Sequence, residues 1–420
     1  MRIWRAEQAR KMASGQFIGV TGSSGKSTTT ALIAAVLTEQ GSVLQQVMDN
    51  TINPLTRTML KSKTADFVVV EAGVGGKGQM STMAKLLRPD VAVVTLVGLE
   101  HYSAFRSSQA IADEKGALVE ALGPDGLAVL NADDPLVMDM AKRTKARIVT
   151  FGHSETADCR ILGVDDGFPR GISVHLSWRG KTFAIPTQFV GQHFSLAVAA
   201  SALVGLEMGA SVEGICKAIG QCCPLRMRLS VHEIPDGPVI LADCAKAPQG
   251  TLHLAFDALK TVSAPRRRIV LGSISDYRGS RRPVYKVAVR QALEVADQVI
   301  LIAEQPSRAS YAPEAEETGR FLTFPTTLEA AEFIARTALE GEVILLKGSA
   351  NLHLERILLA FTTEVRCWEN TCGRAETCYK CGLYEHDFKK HSRIRRRIRL
   401  YRLWKKLISG PDSANVPSSS

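Results

Sequence analysis

Gly22-Ser23-Ser24-Gly25-Lys26-Ser27-Thr28 sets two glycines, a lysine and a run of hydroxyls between an apolar stretch, Phe17 to Thr21, and a helical pattern from Thr28 to Leu37. That grouping suits a phosphate cradle. Glycines let backbone N–H groups approach phosphate oxygens, and the helix N-terminus that follows adds positive dipole. Lys26 can reach β- and γ-phosphates and the Ser27 hydroxyl can ligate Mg²⁺, so nucleotide chemistry is the first expectation. The spacing departs from G-x-x-x-x-G-K-[ST]: Val20 occupies the first glycine position and Gly19 lies one residue too far from Gly25. An ordinary strand-to-helix turn is the competing reading of the loop taken alone.

A second set of chemistry-bearing residues follows. Phe67-Val-Val-Val-Glu71 is an apolar strand ending in a carboxylate, placed to face the loop as a Mg²⁺ ligand or to serve as a solvated cap. The next apolar strand, Val91 to Leu96, leads to His101, and Ile111-Ala-Asp-Glu-Lys115 comes after it. Near the end, Cys367, Cys372, Cys378 and Cys381 are spaced C-x4-C-x5-C-x2-C. Four thiolates can close a tetrahedral Zn²⁺ site, with His386 as a substitute ligand, or hold an iron–sulfur cluster; reduced thiols without metal are the third reading.

The chain has 420 residues, 45% hydrophobic and 22% charged, which suits two or three globular domains. Neither a bilayer-spanning apolar run nor a signal-peptide core stands in the sequence, so a cytoplasmic location is expected. Its net charge of +10 is concentrated in Lys389 to Lys406, a basic stretch without one acid. There Ile394, Ile398, Tyr401, Trp404 and Ile408 recur at helical spacing. A basic amphipathic helix of this kind can lie on an anionic membrane, dock on an acidic protein or contact RNA, nucleic acid being the least expected partner, or pack on its own protein. A membrane partner would place the protein at the inner face as a peripheral component.

These elements imply an α/β fold: a parallel-sheet ATPase domain with a P-loop, then a smaller Rossmann-like α/β domain, then a cysteine-rich basic tail. The expected boundaries are an N-terminal extension at 1–16, the ATP-binding domain at 17–223 with a small antiparallel addition over Cys159 to Val190, and the second domain at 224–365. A cysteine knuckle at 366–390, a basic helix at 391–409 and a disordered end at 410–420 complete the expected layout.

With these motifs in this order, roughly residues 15 to 362 resemble the Mur ligase superfamily, which includes the peptidoglycan amino-acid-adding ligases, folylpolyglutamate synthase and the C-terminal part of cyanophycin synthetase. The resemblance implies that Gly22 to Thr28 form the ATP loop, that Glu71 and His101 hold Mg²⁺, and that Lys115 is the lysine the family carbamylates. Further matches are Gly191-Gln-His193, Pro224-Leu-Arg-Met-Arg228, Asp243-Cys-Ala-Lys-Ala-Pro248, Gly272 to Pro283 and Lys347-Gly-Ser349. By resemblance Arg228 would touch the γ-phosphate, Asp243 the ribose, and Arg278, Lys347 and Ser349 the substrates. Phe194 and Ala197 stand where the family often has asparagines for adenine, and Cys244 and Lys246 replace its tyrosine and histidine. Only some 15 residues precede the loop, where cell-wall ligases carry a UDP-sugar domain, so a UDP-muramyl substrate would lack its usual handle.

The implied chemistry is ATP-dependent amide formation: a carboxylate is phosphorylated, and an amino acid or peptide amine attacks the acyl phosphate, in cell-wall or related peptide synthesis. Two rivals are a plain ATPase or nucleotide-dependent switch and a Mur-ligase-like binding module. Small-molecule carboxylates and amines are the expected partners, with ATP and Mg²⁺ as cofactors and Zn²⁺ as a candidate third.

Overall fold

The computed structural model describes residues 1–98, 105–303, 310–370, 372–374 and 376–408. Uninterrupted apolar runs such as Phe67-Val-Val-Val build strands buried on both faces, and such strands require helices on each side of a parallel sheet. The first sheet holds β1 (Gln16–Thr21), β2 (Val43–Gln46), β3 (Phe67–Glu71), β4 (Val91–Val94), β5 (Leu127–Asn131), β6 (Arg147–Gly152), β7 (Cys159–Asp165), β8 (Ser173–Trp178) and β9 (Lys181–Pro186). Their order is β2-β3-β1-β4-β5-β6-β7-β8-β9. The pairings are parallel from β2 to β7, and β7, β8 and β9 extend the sheet as an antiparallel meander. β1 lies between β3 and β4, so the chain leaving it enters the crevice where the strand order changes direction, the usual ligand position in an open α/β sheet.

The helix Lys26–Thr38 that follows packs against Ser195–Glu207, a helix buried almost all round. Its Ala, Ser and Gly residues allow that closeness: a Cβ at Gly205 would stand 2.5 Å from Val36, and Ser201 Oγ donates to the Thr29 carbonyl at 3.4 Å. This packing fixes the base of the glycine loop against the middle of the domain.

A second sheet contains β10 (Ser230–Glu233), β11 (Val239–Asp243), β12 (Arg267–Leu271), β13 (Gln298–Ile302), β14 (Phe321–Phe324) and β15 (Val343–Lys347), in the order β10-β11-β15-β12-β13-β14. All its pairings are parallel except β10 with β11. The mixed α/β fold with two largely parallel sheets is thus as expected. Val91 to Leu96 is shorter than its apolar run suggests, because after Val94 the backbone turns to serve the loop. β2 and β14 escape a periodicity search, being four residues each with no alternation long enough to register.

The N-terminal extension is a helix, Arg2–Met12, anchored by Arg10. Arg10 Nε donates to the Leu87 carbonyl at 2.7 Å, Nη2 pairs with Asp90 at 3.2 Å, and the guanidinium lies 3.6 Å from the Phe17 ring centroid. The basic segment forms the helix His391–Ile408. The end expected to be disordered, 410–420, lies outside the described residues. No helix among the described residues is long and apolar enough to cross a membrane.

Candidate functional site

A cleft of about 220 Å³ runs between the two sheets' C-terminal edges, lined by the loop from Ser23 to Thr29 and by residues of the second domain. The loop's shape follows from its glycines. Gly22 has φ 144°, and a Cβ there would meet Thr95 Oγ1 at 1.9 Å; Gly25 at φ 79° starts the helix with no side-chain cap. Uncapped N-terminal amides beside a positive helix end form an anion site.

Each side chain in the loop has a defined seat. Lys26 Nζ donates to the Gly22 carbonyl at 2.6 Å, and Ser27 Oγ donates to Glu71 Oε2 at 2.8 Å. Glu71 ends β3 beside β1, which is why a residue 44 positions away reaches Ser27. It is 2% exposed and also accepts from the Met48 N–H at 2.9 Å and Asn50 Nδ2 at 3.0 Å. A buried carboxylate held by neutral donors next to a serine hydroxyl is a donor set that fits Mg²⁺. Thr95 pins the loop from β4's end by donating to the Ser24 carbonyl at 2.6 Å.

Lys115 is fully buried behind the loop and does not line the cleft; its Nζ donates to the same Gly22 carbonyl at 2.9 Å. His101 lies outside the described residues.

From the other domain come Arg228, Asp243, Lys246, Asp276 and Lys347. Arg228 is flanked by Met227 at φ 62° and Leu229 at φ 53°, both buried. Left-handed backbone at non-glycine residues costs on the order of 1–3 kcal/mol each, and here it directs Arg228 into the cleft. Arg228 Nε is buried and has no hydrogen-bond partner among the described residues. Asp243 and Lys347 are register partners on β11 and β15, and Lys347 Nζ binds Asp243 Oδ2 at 2.7 Å and the Lys246 carbonyl at 3.1 Å. Four basic side chains thus face the cleft against three acidic ones.

At the far end the lining is His193, Phe194, Leu196, Ala197, Leu254 and Ala255. His193 and Phe194 have ring centroids 4.3 Å apart. Burial draws the His193 pKa down to about 4, against the opposing pull of Asp243, so the ring is neutral at pH 7. Cys244 points into the core against Met227, where burial pushes its thiol pKa up.

The structure therefore brings Ser23, Ser24, Gly25, Lys26, Ser27, Thr28, Glu71, Arg228, Asp243 and Lys347 to one cleft. Gly22 sits just behind, under the two lysines. Arg278 and Ser349 are not in the lining: Arg278 Nη2 reaches across to the Arg106 carbonyl at 3.4 Å, and the Ser349 N–H binds the Ser273 carbonyl at 2.8 Å. Thr95 and Asn50 were not expected; a threonine closing a buried strand beside a phosphate loop is the signal that would have found the first. The four tail cysteines face a separate cavity with His353 and His391, whereas His386 is exposed on the surface. That exposure replaces His386 as the nearby imidazole with His353, whose Nε2 is 3.0 Å from Cys372 Sγ.

Two family models match the chain: the Mur ligase middle domain over residues 20–205, and the Mur ligase, glutamate ligase domain over residues 226–350. UDP-N-acetylmuramoyl-tripeptide–D-alanyl-D-alanine ligase of Mycobacterium tuberculosis (strain ATCC 25618 / H37Rv) is 30% identical over 286 residues, 66% of this chain and 56% of the relative. The corresponding ligase of Synechocystis sp. is 28% identical over 83% of this chain and 74% of its own length. The chain spans 54–56% of the length of the mycobacterial relatives it matches. Among solved structures, MurF from Acinetobacter baumannii superposes with a TM-score of 0.75 at 20% identity, covering 86% of this chain and 79% of that one. MurF ligase from Thermotoga maritima in complex with ADP gives 0.74 at 23% identity, over 85% and 82%. These likenesses establish a shared fold. With both of its characteristic domains present in order, the chain belongs to the Mur ligase family.

Proposed function

We propose that this protein is an ATP-dependent ligase that joins the carboxylate of one small molecule to the amine of an amino acid or peptide, in cell-wall or related peptide synthesis. The observation that carries the reading is that Lys26, Ser27 and Glu71 of one domain and Arg228 and Lys347 of the other line a single cleft. A carboxylate and a γ-phosphate repel each other, and cations supplied from two sides let them meet.

The substrate carboxylate oxygen attacks the γ-phosphorus, the bond to ADP breaks, and an acyl phosphate results. The amine nitrogen then attacks the acyl carbon, phosphate leaves with the bonding pair, and the amine loses a proton to give the amide. Lys26 follows the β/γ-phosphates after leaving the Gly22 carbonyl, and Arg228 Nε supplies its unused donor to the transferring group. Ser27 and Glu71 would hold Mg²⁺, which when bound neutralises phosphate charge. Lys115 fits a carbamylated lysine in being an amine enclosed beside the loop, where CO₂ would turn a cation into an anion; His101 is the second proposed Mg²⁺ ligand. Phe194, Ala197 and Leu254 would hold the nucleotide base, Asp243 the ribose, and Arg278 and Ser349 would act at the substrate entrance. The zinc candidate takes no step here, because the cysteine cavity and the cleft share no lining residue.

The basic helix supports a peripheral position on an anionic membrane face in the cytoplasm: Leu400, Tyr401 and Trp404 are each more than half exposed, alongside exposed Arg396, Arg397 and Arg399.

The test is phosphate release by the purified protein with ATP, Mg²⁺ and bicarbonate, against pools of carboxylates and amines. Release requiring both a carboxylate and an amine, with an amide product by mass, is the expected result. Release with water alone would make the protein an ATPase, and no ATP binding would make it a binding module.

A further inference from the structure

Cys367, Cys372, Cys378 and Cys381 line one enclosed cavity of about 10 Å³, room for a single water-sized body. Local structure explains how they get there. Thr377 caps the short helix Cys378–Cys381 and Gly382 closes it at φ 65°, which sets the two thiols three residues apart on a tight knuckle. The N–H groups of Arg366 and Cys367 both bind the Tyr384 carbonyl at 2.9 Å, which folds the first cysteine back over that knuckle.

Trp368 and Tyr379 pack partly buried against the core of the second domain, but the segment has few fully buried apolar side chains of its own. From 366 to 390 the buried apolar side chains among the described residues are Cys367, Cys378 and Leu383. So small a core needs a staple, and all four cysteines are free thiols.

Every one of the four sulfurs faces a nitrogen of a basic side chain. Arg356, 1% exposed, donates from Nε to Cys378 Sγ at 3.2 Å and from Nη2 to Cys367 Sγ at 3.7 Å. Arg395 Nη2 donates to Cys381 Sγ at 3.2 Å, and His353 Nε2 lies 3.0 Å from Cys372 Sγ. N–H donors directed at sulfur are the outer partners of a metal-bound thiolate. Four thiolates on one divalent ion carry two net negative charges, which the two arginines balance. Among the described residues, His353, Glu355 and Cys378 are the group of three that presents ligand atoms within 4.8 Å of one another, so the four sulfurs stand further apart than that and must draw together to share one ion. Glu355 Oε1, however, already accepts the Cys378 N–H at 2.7 Å, which makes it an anchor for the knuckle.

We propose that Cys367, Cys372, Cys378 and Cys381 close around one zinc ion, with Arg356 and Arg395 as charge-balancing partners, and that this site staples the tail to the C-terminal domain through the helix Glu355–Thr362. Zinc suits four thiolates and needs no open position in a structural site.

The decisive measurement uses the full-length wild-type protein, purified without chelator. Elemental analysis should find about one zinc per chain, and exchange for Co²⁺ should give the intense thiolate-to-cobalt absorption of four sulfur ligands. These four thiols should be shielded from a thiol reagent until a chelator is added. The double variant Cys378→Ser/Cys381→Ser should lose the metal. Protein free of metal with all four thiols reactive would overturn the proposal, as would bound iron and sulfide. A mixed nitrogen and sulfur cobalt spectrum that His353→Ala abolishes would replace it with a site at His353, Glu355 and Cys378.

Discussion

The two ends of the cleft are built on opposite plans. At the end proposed to hold phosphate, seven consecutive residues form the loop, and its polar groups are fixed before any ligand arrives: Lys26 on Gly22, Ser27 on Glu71, Ser24 on Thr95. At the other end, Phe194 and Ala197 of the first domain meet Leu254 and Ala255 of the second, and the surface they offer is apolar. Fixed dipoles and charges act on charge that develops during reaction, whereas an apolar surface contributes contact area to ground state and transition state alike. Substitutions at the first end should therefore act on kcat, and those at the second on KM and on the choice of nucleotide.

The largest effect should come from Lys26→Ala. Loss of a cation from the transferring phosphates should lower kcat at least about 10²- to 10³-fold, in the range of one lost oxyanion-hole donor. The melting temperature should hardly move, since Lys26 lines the cleft wall and the Gly22 carbonyl it binds keeps Lys115 as a donor. Turnover within tenfold of wild type would break the division between the two ends.

Next comes Glu71→Gln, which keeps the shape and an acceptor for Asn50 but removes the negative charge. The Mg²⁺ concentration for half-maximal turnover should rise at least about tenfold, by analogy with the loss of a metal-supporting group. An unchanged Mg²⁺ titration would make Glu71 a loop anchor only, holding Ser27, Met48 and Asn50.

How far each end could be read from the sequence follows from the same contrast. The cradle is contiguous, so glycine, lysine and serine announce it within one turn, while Glu71 at the end of an apolar strand reads as a metal ligand or as a solvated cap, and its burial at 2% exposure is what removes the solvated reading. The pairing of Lys347 with Asp243 depends on β15 lying beside β11, although 104 residues separate them; no local pattern carries that register. Asn50 follows no motif, and it reaches Glu71 only because β2 and β3 are adjacent. Two of the matched positions, Arg278 and Ser349, fall beside the cleft because their loops turn to bind backbone carbonyls instead.

A smaller effect concerns nucleotide choice. A pocket that hydrogen-bonds its ligand rejects the analogue lacking that group by factors of about 10⁴ or more, while an apolar pocket discriminates by only about 10². With Phe194 and Ala197 in place of amides, kcat/KM for ATP should exceed that for GTP by less than about 10²-fold. Steady-state comparison of the two nucleotides at fixed Mg²⁺ measures it. A preference above 10⁴ would mean that donors at this end read the base, and the contrast between the two ends would then be one of degree.

The smallest effect is on stability and belongs to His193. Its folded pKa of about 4 lies below the ordinary histidine value near 6.5, because burial opposes the charged ring. As pH falls from 6.5 toward 4, the unfolded chain takes up a proton on His193 that the folded chain refuses, so stability is fully present above 6.5 and declines through this window. The full shift corresponds to at most roughly 3 kcal/mol. Part of the ring remains open to the cleft, which lets solvent reduce the effect. In His193→Gln no proton is taken up, and its urea midpoint should fall less between pH 7 and pH 4.5 than that of the wild type, with other titrating groups cancelling in the difference. Parallel curves for the two proteins would show the imidazole to be solvated, and the far end of the cleft would then be wetter than its lining of Phe194, Ala197 and Leu254 implies.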